Sequence, residues 1–200
     1  MSKRPSALPA APPTPVVFVG TSSDGTQSAA VTVVLADAVA IAGTFPVTFA
    51  SDSVVHPRAR LDARAGPLNI GRRCIIEERA TLGGGPPSER GASTTVTLQD
   101  CVSVETGAQV EAGATIGSGT VVGARSIVGR GAVIGQYCTL APRSVIAPGT
   151  RLPDYSVVFG NGRRRRDDRP AAAESRQRLQ TRRIEVLRKL IPNMRDKYRS

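Results

Sequence analysis

A single histidine, His56, stands in a chain of 200 residues. An imidazole can serve as general base toward a hydroxyl or an amine. Three neutral imidazoles can hold a catalytic metal and leave one position open for water. One histidine cannot supply that set. As a base it would need an orienting partner, and "VVHPRAR" around it identifies none. Pro57 follows it, which suits a surface or turn position. Glu77 and Glu78 in "IIEERATL" are expected to point outward, so paired-carboxylate chemistry is not expected there. Cys74, Cys101 and Cys138 lack the spacing of a zinc site and are odd in number. They read as free thiols in a reducing, cytosolic compartment. The run Arg163–Arg166 has no aromatic residues interleaved with it, which argues against nucleic acid and for a solvated segment or an acidic protein partner. No phosphate loop and no Ser-His-Asp set is present. From these residues alone, no catalytic, cofactor-binding or metal site is expected.

The elements that would position these groups follow from a period of six. "TIGSGTVVGARSIVGRGAVIG" (115–135) places Ile116, Val122, Val128 and Ile134 six apart, each followed by Gly. Neither a helix nor a plain strand needs that period. From Leu98 to Val158 the aliphatic positions run six apart without a slip. Before them stand Leu35, Ile41, Phe49, Val55, Leu61, Ile70, Ile76 and Leu82. The spacing there is interrupted by two extra residues before Phe49, three before Ile70 and ten before Leu98. The fourth residue after each aliphatic is small, from Ala108 and Ala114 through Cys138 to Ser156. This is the hexapeptide repeat of a left-handed parallel β-helix. Three units make one triangular coil, and each side sends one aliphatic inward to stack on the next coil. The small residue is expected to ease a crowded corner. The nineteen aliphatic positions predict about six coils over residues 31–160, with Cys74 and Cys138 turned inward.

The flanks differ in composition. Residues 1–30 are rich in Pro, Ala, Ser, Thr and Gly and read as a flexible arm, with no secretory signal. The glycines and prolines of 83–97 read as a loop thrown out from a corner. Residues 161–170 form a basic connector. Residues 171–191 form a helix held to the prism by Leu179, Ile184, Leu187 and Ile191, ended by Pro192, with a tail over 192–200. Net charge is +11. Most of the excess lies beyond residue 162, so Arg182, Arg183, Arg188 and Lys189 are candidates for an outward, partner-facing basic surface. No run of apolar residues is long enough to span a membrane.

Ser53–Leu82, "SVVHPRARLDARAGPLNIGRRCIIEERATL", resembles the smaller β-helix subunits of the dynactin pointed-end complex, the subunit 6 type. The stretches V-H-P-x-A-R, A-G-P-x-x-I-G and I-E-E-x-A-x-L carry the likeness, and "LRKLIPNMR" (187–195) resembles that family's helix end. The resemblance implies a non-enzymatic, cytoplasmic and cytoskeleton-associated scaffold. Its partners would be dynactin subunit 5, an actin-related protein and other pointed-end subunits, with dynein adaptors or cargo reached indirectly. It implies no cofactor, no nucleic acid and no membrane span. The alternative is a homotrimer of the γ-carbonic-anhydrase or hexapeptide acyltransferase kind, the latter with His56 as base.

Overall fold

The computed structural model describes residues 14–19, 32–85, 94–159, 162–167 and 170–198. The six-residue period becomes a left-handed parallel β-helix of about six turns with one C-terminal helix. Its strands stack into three ladders. The first face runs from Val16–Val19 through Val47–Ala50 to Arg151–Leu152, and the second from Val34–Leu35 to Ser156–Phe159. The third runs from Ala40–Gly43 to Val145–Ile146.

Register follows the repeat. Leu98 pairs with Ile116, Ile116 with Ile134, and Ile134 with Leu152. The interruptions leave this stacking intact: Phe49 still pairs with Ile70, and Ile70 with Leu98. The extra residues are therefore expelled at corners while each aliphatic keeps its place in the interior. Leu61, Leu82, Val110 and Val128 have no exposed surface. Burial of such side chains contributes about 1.5–3 kcal/mol each.

Between Ala108 and Ser156 the small position is buried everywhere but at Thr150, and Cys74 is buried as well as Cys138. Burial pushes the Cys74 thiol up to about 12, so it is no nucleophile. The hydroxyls at this position have their own reason. Ser126 Oγ donates to Ala141 O at 2.9 Å and accepts from Ser144 N at 3.1 Å. Thr120 does the same with Gly135 O and Cys138 N. Each hydroxyl thus joins one coil to the next and satisfies buried backbone groups. The conformational demand at the corner falls one residue earlier than expected. Arg58, Arg79, Arg125 and Tyr137 take positive φ there, as do Gly107, Gly119 and Gly131.

The flanks depart from the sequence reading. Val16–Val19 pairs in parallel with Val47–Ala50, and Phe18 stacks on Phe49 at 5.8 Å. This part of the expected arm adds a strand to the first face, while 1–13 and 20–30 lie outside the described residues, as do 86–93 of the expected loop. Arg163–Arg166 is a strand antiparallel to Ser156–Phe159 rather than a connector. Helix α1 (Pro170–Leu190) lies along the outer side of the second face. Ile184 is buried there against Val34, Val54 and Ile75, with Leu187 and Ile191 beside it. Leu179 is 64% exposed and holds nothing. Polar groups replace it: Gln180 Nε2 donates to Arg73 O at 2.8 Å, and Arg176 Nη1 to Thr139 Oγ1 at 2.7 Å. The tail also docks. Asn193 Nδ2 donates to Val33 O and its Oδ1 accepts from Leu35 N, so one amide mimics a strand on the first coil.

Candidate functional site

His56 follows Val55, and Glu77 follows Ile76 one coil on. Val55 and Ile76 are ladder partners, so register sets His56 beside Glu77. His56 N donates to Ile76 O at 2.8 Å, which fixes the backbone under the ring. The ring is partly buried, and its Nε2 is covered, with no hydrogen-bond partner among the described residues. Burial lowers the His56 pKa below 6.5; Arg183 lowers it further, while Glu77 and Glu78 pull it up. The imidazole is therefore neutral at pH 7, with an unused nitrogen.

Glu77 does not point into solvent as expected. Its side chain is 14% exposed. Oε2 accepts from Thr106 N at 3.0 Å and from Thr106 Oγ1 at 2.8 Å. Oε1 accepts from Arg183 Nη2 at 2.6 Å. Burial raises its pKa, and the Thr106 and Arg183 bonds outweigh that and hold it below the usual carboxylate value. The same bond recurs along the prism, where Glu105 accepts from Ala124 N and Glu111 from Arg130 N. A Glu after the inward aliphatic thus reaches one coil on to a backbone N–H at the corner. That rule was available in the sequence, where Glu77, Glu105 and Glu111 all follow an aliphatic of the repeat. Glu78 does face outward and takes an ion pair from Arg58 at 3.3 Å.

The four basic residues expected to face a partner divide into two pairs. Arg183 bonds Glu77, and Arg188 Nη1 lies 3.2 Å from Asp52 Oδ1. Both fasten α1 to the prism instead of presenting charge outward, because the docked helix sets them above unpaired carboxylates. Arg182 and Lys189 are exposed. Cys101 is half-buried, and burial raises its pKa. Arg163–Arg166 is exposed along its length. Among the described residues, no group of three or more His, Cys, Asp or Glu is arranged to hold a metal. Among those residues, no helix is long and apolar enough to cross a membrane.

No protein-family model matches the chain, and no curated protein matches it. Solved structures do. The chain is similar to a hexapeptide transferase family protein from Anaplasma phagocytophilum, at 16% identity and a TM-score of 0.63, over 88% of this chain and 97% of that one. LpxA from Acinetobacter baumannii is similar at 17% identity and a TM-score of 0.42, over 79% and 80%. AntD, an N-acyltransferase from Bacillus cereus, is similar at 12% identity and a TM-score of 0.35, over 82% and 89%. At these identities the likeness establishes the fold. The expectation of a non-catalytic dynactin scaffold is corrected here: the similar structure with a TM-score above 0.5 is named a hexapeptide transferase family protein, and none of the three is a dynactin subunit.

Proposed function

We propose that the chain is a hexapeptide-type acyltransferase with His56 as its general base. The observation that carries this reading is the neutral, half-buried imidazole whose Nε2 has no partner among the described residues. The fold shared with a hexapeptide transferase family protein supports the reaction class. Glu77 sits on the neighbouring coil and stabilises the imidazolium as it forms. Nε2 removes the proton of an acceptor hydroxyl or amine as that atom attacks the carbonyl of an acyl thioester. The tetrahedral intermediate collapses with cleavage of the carbon–sulfur bond. The imidazolium returns its proton to the departing thiolate, which leaves as thiol. Nε2 is covered in this structure, so the groups over it must move for substrate to approach.

The test is thiol release from a panel of acyl thioesters with hydroxyl and amine acceptors. Wild-type protein should turn over at least one pair, and His56→Ala should lose about 10²–10⁴-fold in rate with an unchanged melting curve. Wild-type protein that releases no thiol from any donor, or a His56→Ala variant as fast as wild type, overturns the assignment.

A further inference from the structure

Around the corner from His56 the prism carries a groove of about 480 Å³ lined by Ala38, Ala40, Arg58, Arg60, Arg79 and Thr81. Three arginines from two consecutive coils line it. Arg58 and Arg79 occupy the same corner position of successive coils, and Arg60 and Thr81 are ladder partners on the third face. Coils repeat about every 4.8 Å, so neighbouring guanidiniums can take oxygens of adjacent anionic groups.

The local charge is not balanced. Glu78 serves both Arg58, at 3.3 Å, and Arg79, at 3.8 Å. Among the described residues, Arg60 has no carboxylate partner. The nearby acids Asp62 and Asp37 are already matched by Arg64 and Lys197. Three guanidiniums against one shared carboxylate leave two positive charges over. Space comes from the first coil, where small Ala38 and Ala40 stand in the columns that hold arginines and Thr81 in the next two coils. Along the same corner, Arg125 and Arg143 continue the column farther up and line no part of this groove.

We propose that this groove is a binding site for a diphosphate. Guanidinium forks match phosphate oxygens in pairs, and two adjacent phosphates match the two uncompensated charges. The Thr81 hydroxyl adds one neutral donor. The site stands apart from the role of His56, because it is read by binding and not by turnover.

Calorimetry with inorganic pyrophosphate and, separately, with adenosine diphosphate tests it on the full chain at moderate salt. Saturable one-to-one binding is expected for at least one of them. Equal affinities identify the diphosphate alone as the ligand, and tighter adenosine diphosphate adds the nucleoside; both support the site. Arg60→Ala should weaken binding tenfold or more, while Arg125→Ala, with equal charge loss outside the groove, should not. Absence of saturable binding to both probes overturns the proposal, and so does equal weakening by Arg125→Ala. Arg60→Gln keeps the side chain's length and provides the same reading if Arg60→Ala fails to fold.

Discussion

Arg183 Nη2 lies 2.6 Å from Glu77 Oε1, joining residues 106 positions apart in the chain. The pair holds α1 against the second face at the level of His56. It also sets the field at the imidazole, since Glu77 and Arg183 act on His56 with opposite sign. Helix docking and the protonation of His56 are thereby linked.

Reversing Arg183 to Glu should therefore weaken the helix–prism contact. It places a carboxylate against Glu77, which is largely buried and already committed to Thr106. Arg188→Glu does the same against Asp52. Each should cost about 1–2 kcal/mol after solvent screening. Arg182→Glu and Lys189→Glu, on exposed positions, should cost less than about 0.5 kcal/mol. Urea unfolding of the four single variants measures this. Four equal losses would remove the distinction between fastening and solvated residues.

Stability should fall as pH drops through the histidine range. The folded state keeps His56 neutral below its ordinary value of 6.5, because burial opposes the charge. The unfolded chain takes up a proton there that the folded chain refuses, so the folded state loses ground below 6.5 until its own lower pKa is reached. Glu77, with its pKa held down, adds a second loss only below the carboxylate value of 4.5. Melting temperatures between about pH 5 and 7.5 should slope for wild type and flatten in His56→Gln. Arg183→Ala should move the His56 titration upward in a proton NMR series. An unchanged slope in His56→Gln would mean the ring is not desolvated.

Two corner glycines allow backbone strain to be separated from packing. Gly119 and Gly131 have φ of 68° and 63°. A Cβ on Gly131 meets nothing within 4 Å, whereas one on Gly119 falls 2.6 Å from Tyr137 Cδ1. The Tyr137 ring is held, stacked on Tyr155 at 5.4 Å and bonded through its hydroxyl to Gln177. Gly131→Ala should cost about 1–2 kcal/mol from the left-handed backbone alone. Gly119→Ala should cost a further ~1–3 kcal/mol of overpacking. Equal costs in chemical denaturation would show that the tyrosine stack yields freely.

The body of the prism was legible because one physical rule repeats. Stacking Leu98 on Ile116 on Ile134 on Leu152 makes the same demand every eighteen residues. Even the expelled residues before Ile70 left that trace readable. The pieces that occur once were not legible. Val16–Val19, Arg163–Arg166 and Asn193 gain their structure from an edge made elsewhere in the chain. Leu179 fits the helical period of the docked stripe, yet that end of α1 attaches through Arg176 and Gln180 instead. The site was half legible. The pairing of His56 with Glu77 needs the register across coils, which adjacent sequence does not display.

A hexapeptide unit contains no instruction for how many copies to string together, and each finished coil is a template for the next. The Arg163–Arg166 strand supplies the missing terminus. It reverses chain direction against Ser156–Phe159, where a further coil would have to run parallel. It also lines that rim with four like charges, which repel an incoming strand edge. Asn193 occupies the opposite rim of the same ladder with a side chain that cannot be extended. The molecule's length, and its protection from end-to-end polymerisation along this face, is thus written in its least repetitive residues.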